Sequence, residues 1–274
     1  MLSPLKTALH TRYHEVSTTS TSVFKRTITI SKGYLDALSA KSFQMATREK
    51  FECNLCGWKG NHFVDFYTGY NFVYEKSVCP ECFSHPRHRS YFYTLKKVMA
   101  YFGEKKIKVL HFAPEAIVTK IICDNPNVNY LSVDIDHRNA MRKEDIKNLS
   151  FQDNSFDLII CIHVLEHIDD DKKAMQELLR VLKPEGIALL DVPIDNTREI
   201  TYEDWSITTP EARTKAFWQW DHVRLYGLDF PKKLREIGFV IEEDDYIKGV
   251  GDEIIQKQCL EVSVNYIGTK KGVS

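Results

Sequence analysis

Two sets of residues in this chain have the types and spacing to do chemistry. The first is a pair of Cys-x-x-Cys turns, Cys53-Asn-Leu-Cys56 and Cys79-Pro-Glu-Cys82, with twenty-two residues between them. Each tight turn presents two thiolates, and two turns supply the four soft ligands that tetrahedral zinc takes. One such turn alone would equally suit a redox pair, but two of them without a preceding β-α-β pattern favour a metal. The second set is His163, Glu166 and His167, which follow an apolar run, joined later by Asp221 and His222. An imidazole beside a carboxylate can take up and return a proton near neutral pH. His163, His167 and His222 are therefore candidate catalytic bases, with Glu166 or Asp221 to orient them. Two basic knots add anion-holding capacity: His85-Pro86-Arg87-His88-Arg89, and Asp221-His222-x-Arg224-x-Tyr226. Arg87, Arg89 and Arg224 carry the planar fork that grips a carboxylate or phosphate. A solvated charge run and a salt-bridged loop are the competing readings of the two knots.

The elements that must position these groups are legible in residues 151–193. Phe156–Ile162 is a buried-type strand. Asp169 to Asp171 can cap a helix whose apolar residues Met175, Leu178, Leu179 and Leu182 recur at helical spacing. Lys183-Pro184-Glu185-Gly186 ends that helix, and residues 187–192 form a second strand. A strand, helix and strand in this order make a parallel pair with a right-handed crossover. Ligands of open parallel sheets bind at the carboxyl ends of the strands. His163, Glu166, His167, Asp191 and Asp195 are thus expected along one rim. Upstream, residues 107–112 and 130–135 read as strands flanking a helix over 115–123, and residues 140–143 leave room for a short strand. Downstream, residues 229–237 read as a helix stopped by Gly238, and 239–246 and 262–269 as strands. The fold class is α/β with a mainly parallel sheet.

A chain of 274 residues exceeds one small module, so a core domain with an appendage is expected. The reading places a basic, Ser/Thr-rich arm at residues 1–48 and a small ribbon at 49–90. A linker helix starting from Ser90 occupies 91–105, and the core domain 106–274 carries a lid-like insertion at 194–226. The ribbon is strand-rich over residues 63–74, with Thr68-Gly69 as its turn, and a weak strand pattern lies at residues 24–30. Net charge is -1 and the basic excess is confined to residues 1–50, which speaks against nucleic acid along the core. No apolar run is long enough to span a membrane. Paired and scattered cysteines suit a reducing, cytoplasmic setting. The insertion holds Trp205, Trp218 and Trp220, whose ring faces suit stacking on sugars or rings.

With these pieces in view, residues 106–270 resemble a class I S-adenosylmethionine-dependent methyltransferase. The resemblance rests on VLHFAPE, YLSVDID, NSFDLIICIHVLEHI and LLRVLKPEGIALLDVP. More narrowly, the HFAPE turn, the preceding cysteine ribbon with its RHR, and DHVRLYGLDF resemble a bacterial-type branch of that family with an N-terminal zinc ribbon. The resemblance implies a Rossmann-like seven-stranded sheet in the order 3-2-1-4-5-7-6 and S-adenosyl-L-methionine as cofactor. It also implies structural Zn2+ on Cys53, Cys56, Cys79 and Cys82. It assigns the cofactor to His111, Ala113, Glu115, Asp134, Asp145, Ile146 and His163. Asp134 would hold the ribose hydroxyls. Asp145 would meet the adenine amino group with Ile146 against the ring, and Glu115 would meet the cofactor's ammonium. The family's first loop is glycine-rich, whereas His111-Phe112-Ala113-Pro114-Glu115 contains no glycine. The expected acceptor is a small molecule or saccharide-type hydroxyl, contacted by Arg87, Arg89, Trp218, Arg224 and Tyr226. Two alternatives accompany it: an RNA methyltransferase using ribbon and arm, and a non-catalytic binding protein on a methyltransferase scaffold.

Overall fold

The structure, a computed structural model, describes residues 50–67, 73–136 and 138–271. The expected arm at 1–48, the strand at 24–30 and the Thr68-Gly69 turn lie outside the described residues. The chain divides into two compact units that do not follow its linear order. Among the described residues, the first takes 50–97, Glu115–Ile121 and Asp245–Ser263. The second takes Val98–Pro114, Ile122–Asp244 and 264–271. The boundaries 49–90, 91–105 and 106–274 therefore give way to an interleaved division.

The first unit is built on two short antiparallel ladders, Phe51–Glu52 with Lys59–Gly60 and Val64–Tyr67 with Val73–Val78. Among the described residues its apolar clusters include Cys53, Trp58, Phe63 and Cys79, and Val64 with Val78. Helix α1, Pro86–Phe102, begins in this unit. It starts four residues before the expected Ser90. Pro86 suits a first helical position, where the missing N–H is not needed, and Ser90 instead bonds back to the Pro86 carbonyl at 3.2 Å. Most of helix α2, Ala116–Cys123, and a short helix Asp252–Gln258 also belong to this unit.

The second unit is a seven-stranded sheet. Its strands are β1 (Ile107–Phe112), β2 (Val128–Asp134), β3 (Arg142–Lys143), β4 (Phe156–Ile162), β5 (Leu182–Asp191), β6 (Phe239–Asp244) and β7 (Asn265–Lys270). They lie in the order 3-2-1-4-5-7-6, with β7 antiparallel to both neighbours and β1 to β5 parallel. This is the Rossmann-like order of class I methyltransferases. The central strand β4 is buried along nearly its whole length, which explains its unbroken apolar sequence. Helix α3, Asp171–Val181, is capped by the Asp170 carboxylate on the Lys173 N–H at 3.0 Å. Its buried stripe, Ala174, Met175, Leu178 and Val181, packs into the main core.

Lys183-Pro184-Glu185-Gly186 ends α3 as expected, but within β5 rather than before it. The ladder to β4 jumps from Phe156–Leu182 to Leu158–Ile187, so these residues form an irregularity. A Cβ on Gly186 would meet the Lys183 carbonyl at 2.9 Å, so the crossing requires glycine here. The long insertion contains helix α4, Pro210–Phe217. Its ends are clamped by Tyr202–Glu203 pairing with Arg224–Leu225, and by a bridge between Ile194 and Tyr226. Helix α5, Phe230–Ile237, packs on the core and stops at Gly238, whose φ of 118° is left-handed. Among the described residues no helix is long and apolar enough to cross a membrane.

Candidate functional site

The carboxyl end of β4 gathers the ionisable groups of the second unit. His163, the first residue after β4, holds φ 53°, a strained value for a non-glycine residue, and donates its N–H to the Asp191 carbonyl at 2.8 Å. A short 3-10 turn, Leu165–His167, follows. It turns Glu166 inward, where the residue is 1% exposed. His163 Nδ1 lies 3.3 Å from Glu166 Oε1, a close contact without hydrogen-bond alignment. His167 Nδ1 lies 3.4 Å from Asp221 Oδ2. His222 Nδ1 bonds the Phe217 carbonyl at 2.8 Å, and the His167 and His222 rings meet edge to face at 4.7 Å. The Val223 N–H bonds the Glu166 carbonyl at 2.9 Å, so the end of the insertion is stitched to the turn after β4. All three candidate bases and both candidate orienting carboxylates thus come together, from segments far apart in sequence.

The electrostatics follow from this crowding. Burial pushes the Glu166 carboxyl up, but His163, His167 and His222 outweigh it, and its pKa is lowered. Burial pulls His167 down, but Asp221 and Glu166 outweigh that, and its pKa is raised. His222 stays low because burial dominates there. An ionised carboxylate therefore faces one imidazole favoured in its charged form and one favoured in its neutral form.

The residues expected at the cofactor fall into three groups. Asp134 ends β2, half-buried, with Oδ1 accepting the Asp136 N–H at 2.9 Å. Ala113 adopts φ 45°, the left-handed conformation usually given to glycine, and donates its N–H to the Val133 carbonyl at 2.9 Å. The loop thereby makes a glycine-type turn with the next smallest side chain. Asp145 is exposed, with Oδ1 on the Lys147 N–H at 2.9 Å, while Ile146 packs into the main core. Two expectations need correction. His111 is 3% exposed and bonded to the Tyr130 hydroxyl at 2.9 Å, as a satisfied core histidine. Glu115 lies in the first unit, where Oε1 meets Arg87 at 2.6 Å and His88 at 2.9 Å. The carboxylate expected at an ammonium is already engaged by the Arg87 guanidinium and the His88 ring.

The residues expected at the acceptor also divide. Trp218 is half-exposed at the C-terminus of α4, as is Trp205 elsewhere in the insertion. Arg87 is the Glu115 partner. Arg89, Arg224 and Tyr226 are structural, because each is sealed from solvent and spent on internal bonds. Arg89 bonds the carbonyls of Ser77, Ser84, Gln258 and Cys259 at 2.6–2.9 Å and stacks on Phe63. Arg224 bonds the carbonyls of Leu165, Ile168 and Asp169 and the Glu203 carboxylate. Tyr226 donates to Asp171 at 2.7 Å. Sequence reading missed both networks. Carbonyl acceptors carry no side-chain signature; Val223 and Leu225 beside Arg224 offered a hint of burial, and His88 and Ser90 beside Arg89 offered none.

In the first unit, Cys53 and Cys82 Sγ lie 3.6 Å apart, as do Cys56 and Cys79 Sγ. All four sulfurs fall within 4.8 Å of one another. A zinc tetrahedron with Zn–S of about 2.3 Å has edges of roughly 3.8 Å, so the donor set fits that ion.

Comparison with known proteins bears on the second unit. The methyltransferase domain family matches residues 107–190. An uncharacterised protein of Methanocaldococcus jannaschii is 50% identical over 75 residues, covering 27% of this chain and 33% of that one. A ubiquinone biosynthesis O-methyltransferase of Rickettsia bellii is 32% identical over 76 residues, covering 28% of this chain and 26% of that one. These matches span a third or less of the relatives' own lengths. Among solved structures, the YcgJ protein of Bacillus subtilis is 17% identical, covers 66% of this chain and 99% of its own, and has a TM-score of 0.45. The matched stretch runs from the first residue of β1 to the penultimate residue of β5, carrying the parallel strands and the Glu166 turn. Residues 107–190 are therefore similar to the methyltransferase domain family, and they lie in a sheet with the strand order of class I methyltransferases.

Proposed function

We propose that the protein methylates a hydroxyl oxygen of a small-molecule or saccharide-type acceptor. The observation that carries this reading is the Glu166 cluster: three histidines and two carboxylates at the carboxyl end of β4, in a domain of methyltransferase topology. S-adenosylmethionine supplies, when bound, a methyl group on a positively charged sulfur. The chain must align the acceptor oxygen behind that carbon, and such positioning contributes up to ~7–11 kcal/mol. It must also take the hydroxyl proton as the oxygen–carbon bond forms and the carbon–sulfur bond breaks. A hydroxyl acceptor requires a base for its proton, and the cluster holds three imidazoles that can serve. His163, part-exposed beside Glu166, is the base in this reading. The half-exposed Trp205 and Trp218 offer ring faces for an acceptor. The O-methyl transfer for which the Rickettsia bellii relative is named supports oxygen as the acceptor atom.

Asp134 is assigned to the ribose hydroxyls and Ala113 to the close approach of backbone, with Asp145 and Ile146 flanking the adenine. The four cysteines are assigned a structural zinc ion. Calorimetric titration with S-adenosylmethionine, and with its demethylated product, tests the assignment. Binding of both to the wild type is expected. Asp134→Ala should weaken it at least tenfold, about 1.4 kcal/mol, with the fold retained. Unchanged affinity in that variant would remove Asp134 from the site, and absence of binding in the folded wild type would remove the function.

A further inference from the structure

We infer that Glu166, His167 and His222 together hold a divalent metal cation, separate from the four-cysteine centre. One donor atom from each of the three lies within 4.8 Å of the others. Two features distinguish this cluster from an ordinary buried ion pair. Glu166 is almost fully enclosed, yet neither carboxylate oxygen has a hydrogen-bond partner among the described residues. A buried carboxylate left so is costly unless a cation faces it. The histidines also have Nδ1 beside an acceptor: His222 Nδ1 bonds the Phe217 carbonyl at 2.8 Å, and His167 Nδ1 lies 3.4 Å from Asp221 Oδ2. Metal-binding imidazoles are held in this way by their second nitrogen, which fixes the tautomer and leaves Nε2 for the ion. Asp221 and Phe217 are the orienting partners.

The donor set indicates the ion. Two imidazoles and one carboxylate suit Mn2+, Fe2+, Co2+ or Zn2+, whereas Mg2+ and Ca2+ favour oxygen ligands throughout. Ligands at about 2.1 Å from one ion stand roughly 3.4 Å apart in a tetrahedron, so the three groups must close by up to about 1.4 Å. Side-chain rotation covers such a distance, and the part-exposed His167 has room for it. Three protein ligands leave open positions on the ion. An acceptor hydroxyl entering one of them would lose its proton more readily. His163, outside the ligand set and 3.3 Å from Glu166, would receive that proton. This catalytic use rests on the methyl-transfer reading; the binding of the ion does not.

The test is a Mn2+ titration of the full chain with its cysteine centre filled with zinc, following loss of the free-Mn2+ paramagnetic resonance signal. Thiolate centres favour zinc over Mn2+, so the probe reports on the second site. The expected result is uptake of about one Mn2+ per chain, weakened at least tenfold in Glu166→Gln and in His167→Ala and unchanged in His62→Ala. Circular dichroism checks that the variants fold, and the part-exposed His167 keeps the test alive should Glu166→Gln fail to do so. No uptake by the wild type, or uptake retained in both folded variants, overturns the site. Mn2+ uptake by a protein that binds no S-adenosylmethionine would keep the metal site and sink the methyltransferase reading. Methyl transfer without metal uptake would do the reverse.

Discussion

Stripping zinc from the four-cysteine centre is expected to unfold the first unit. Among the described residues its cysteine loops are held by two small apolar clusters, one of Cys53, Trp58, Phe63 and Cys79 and one of Val64 and Val78. A core of that size stabilises a chain by only a few kcal/mol at best, while structural zinc contributes an apparent ~10–16 kcal/mol at neutral pH. On the zinc assignment the metal is the larger part of the folding energy. The extent of the loss is set by Arg89. Its guanidinium binds Ser77 and Ser84 beside the cysteines and also Gln258 and Cys259 at the end of the short helix. When the cysteine loops relax, that arginine loses half of its acceptors. Amide exchange after chelation should therefore accelerate together in residues 50–97 and in Asp252–Gln258, two stretches far apart in sequence. Cys79→Ser should reproduce the pattern without chelator. Exchange unaffected by chelator in both stretches would contradict the zinc assignment, and acceleration confined to 50–67 would contradict the role given to Arg89.

The legible parts of this protein share one property: their signals are local. The apolar run Phe156–Ile162, the cap at Asp170 and the Cys-x-x-Cys turns each declare themselves within a dozen residues, and the structure carries strand, helix and thiol cluster there. The strand order 3-2-1-4-5-7-6 was implied by family resemblance and not by periodicity. The less legible parts depend on long-range partners. Nothing in Asp245–Ser263 marks it as belonging with the cysteine loops, because its ties, the backbone carbonyls of Gln258 and Cys259 to Arg89 and the Lys257 and Gln258 side chains to Glu52, join residues far apart in sequence. Arginines in basic knots read as anion receptors, since sequence reveals the donors but not the acceptors. In Arg89 and Arg224 the acceptors are internal carbonyls. His111 misled for the opposite reason: the family position was occupied, but a tyrosine on the neighbouring strand had already taken the ring. Glu166 was readable as an orienting carboxylate. Its lack of hydrogen-bond partners became visible only with the fold.

Arg224→Met is expected to cost about 3–5 kcal/mol of stability and, in what remains folded, to disorganise the Glu166 cluster. Arg224 is 1% exposed. Its Nε meets Glu203 at 2.5 Å, and its terminal nitrogens meet the carbonyls of Leu165, Ile168 and Asp169. Those carbonyls belong to the turn that carries Glu166 and His167. Methionine fills similar volume but donates nothing, so three acceptors and one carboxylate lose their partner in a buried setting. Breaking a buried ion pair from one side costs ~3–5 kcal/mol, and orphaned carbonyls add to it. Lysine preserves the charge but not the fork, so Arg224→Lys should recover only part of the loss. Denaturant midpoints at constant slope measure the stability change. The second half of the expectation needs a readout that stability alone would not move: Mn2+ uptake at temperatures where the variant is folded, which should fall in Arg224→Met and stay normal in His62→Ala. If Arg224→Met instead unfolds at the wild-type midpoint and only raises KM for an anionic acceptor, the arginine is a substrate contact after all, and the internal network would have to be open in solution.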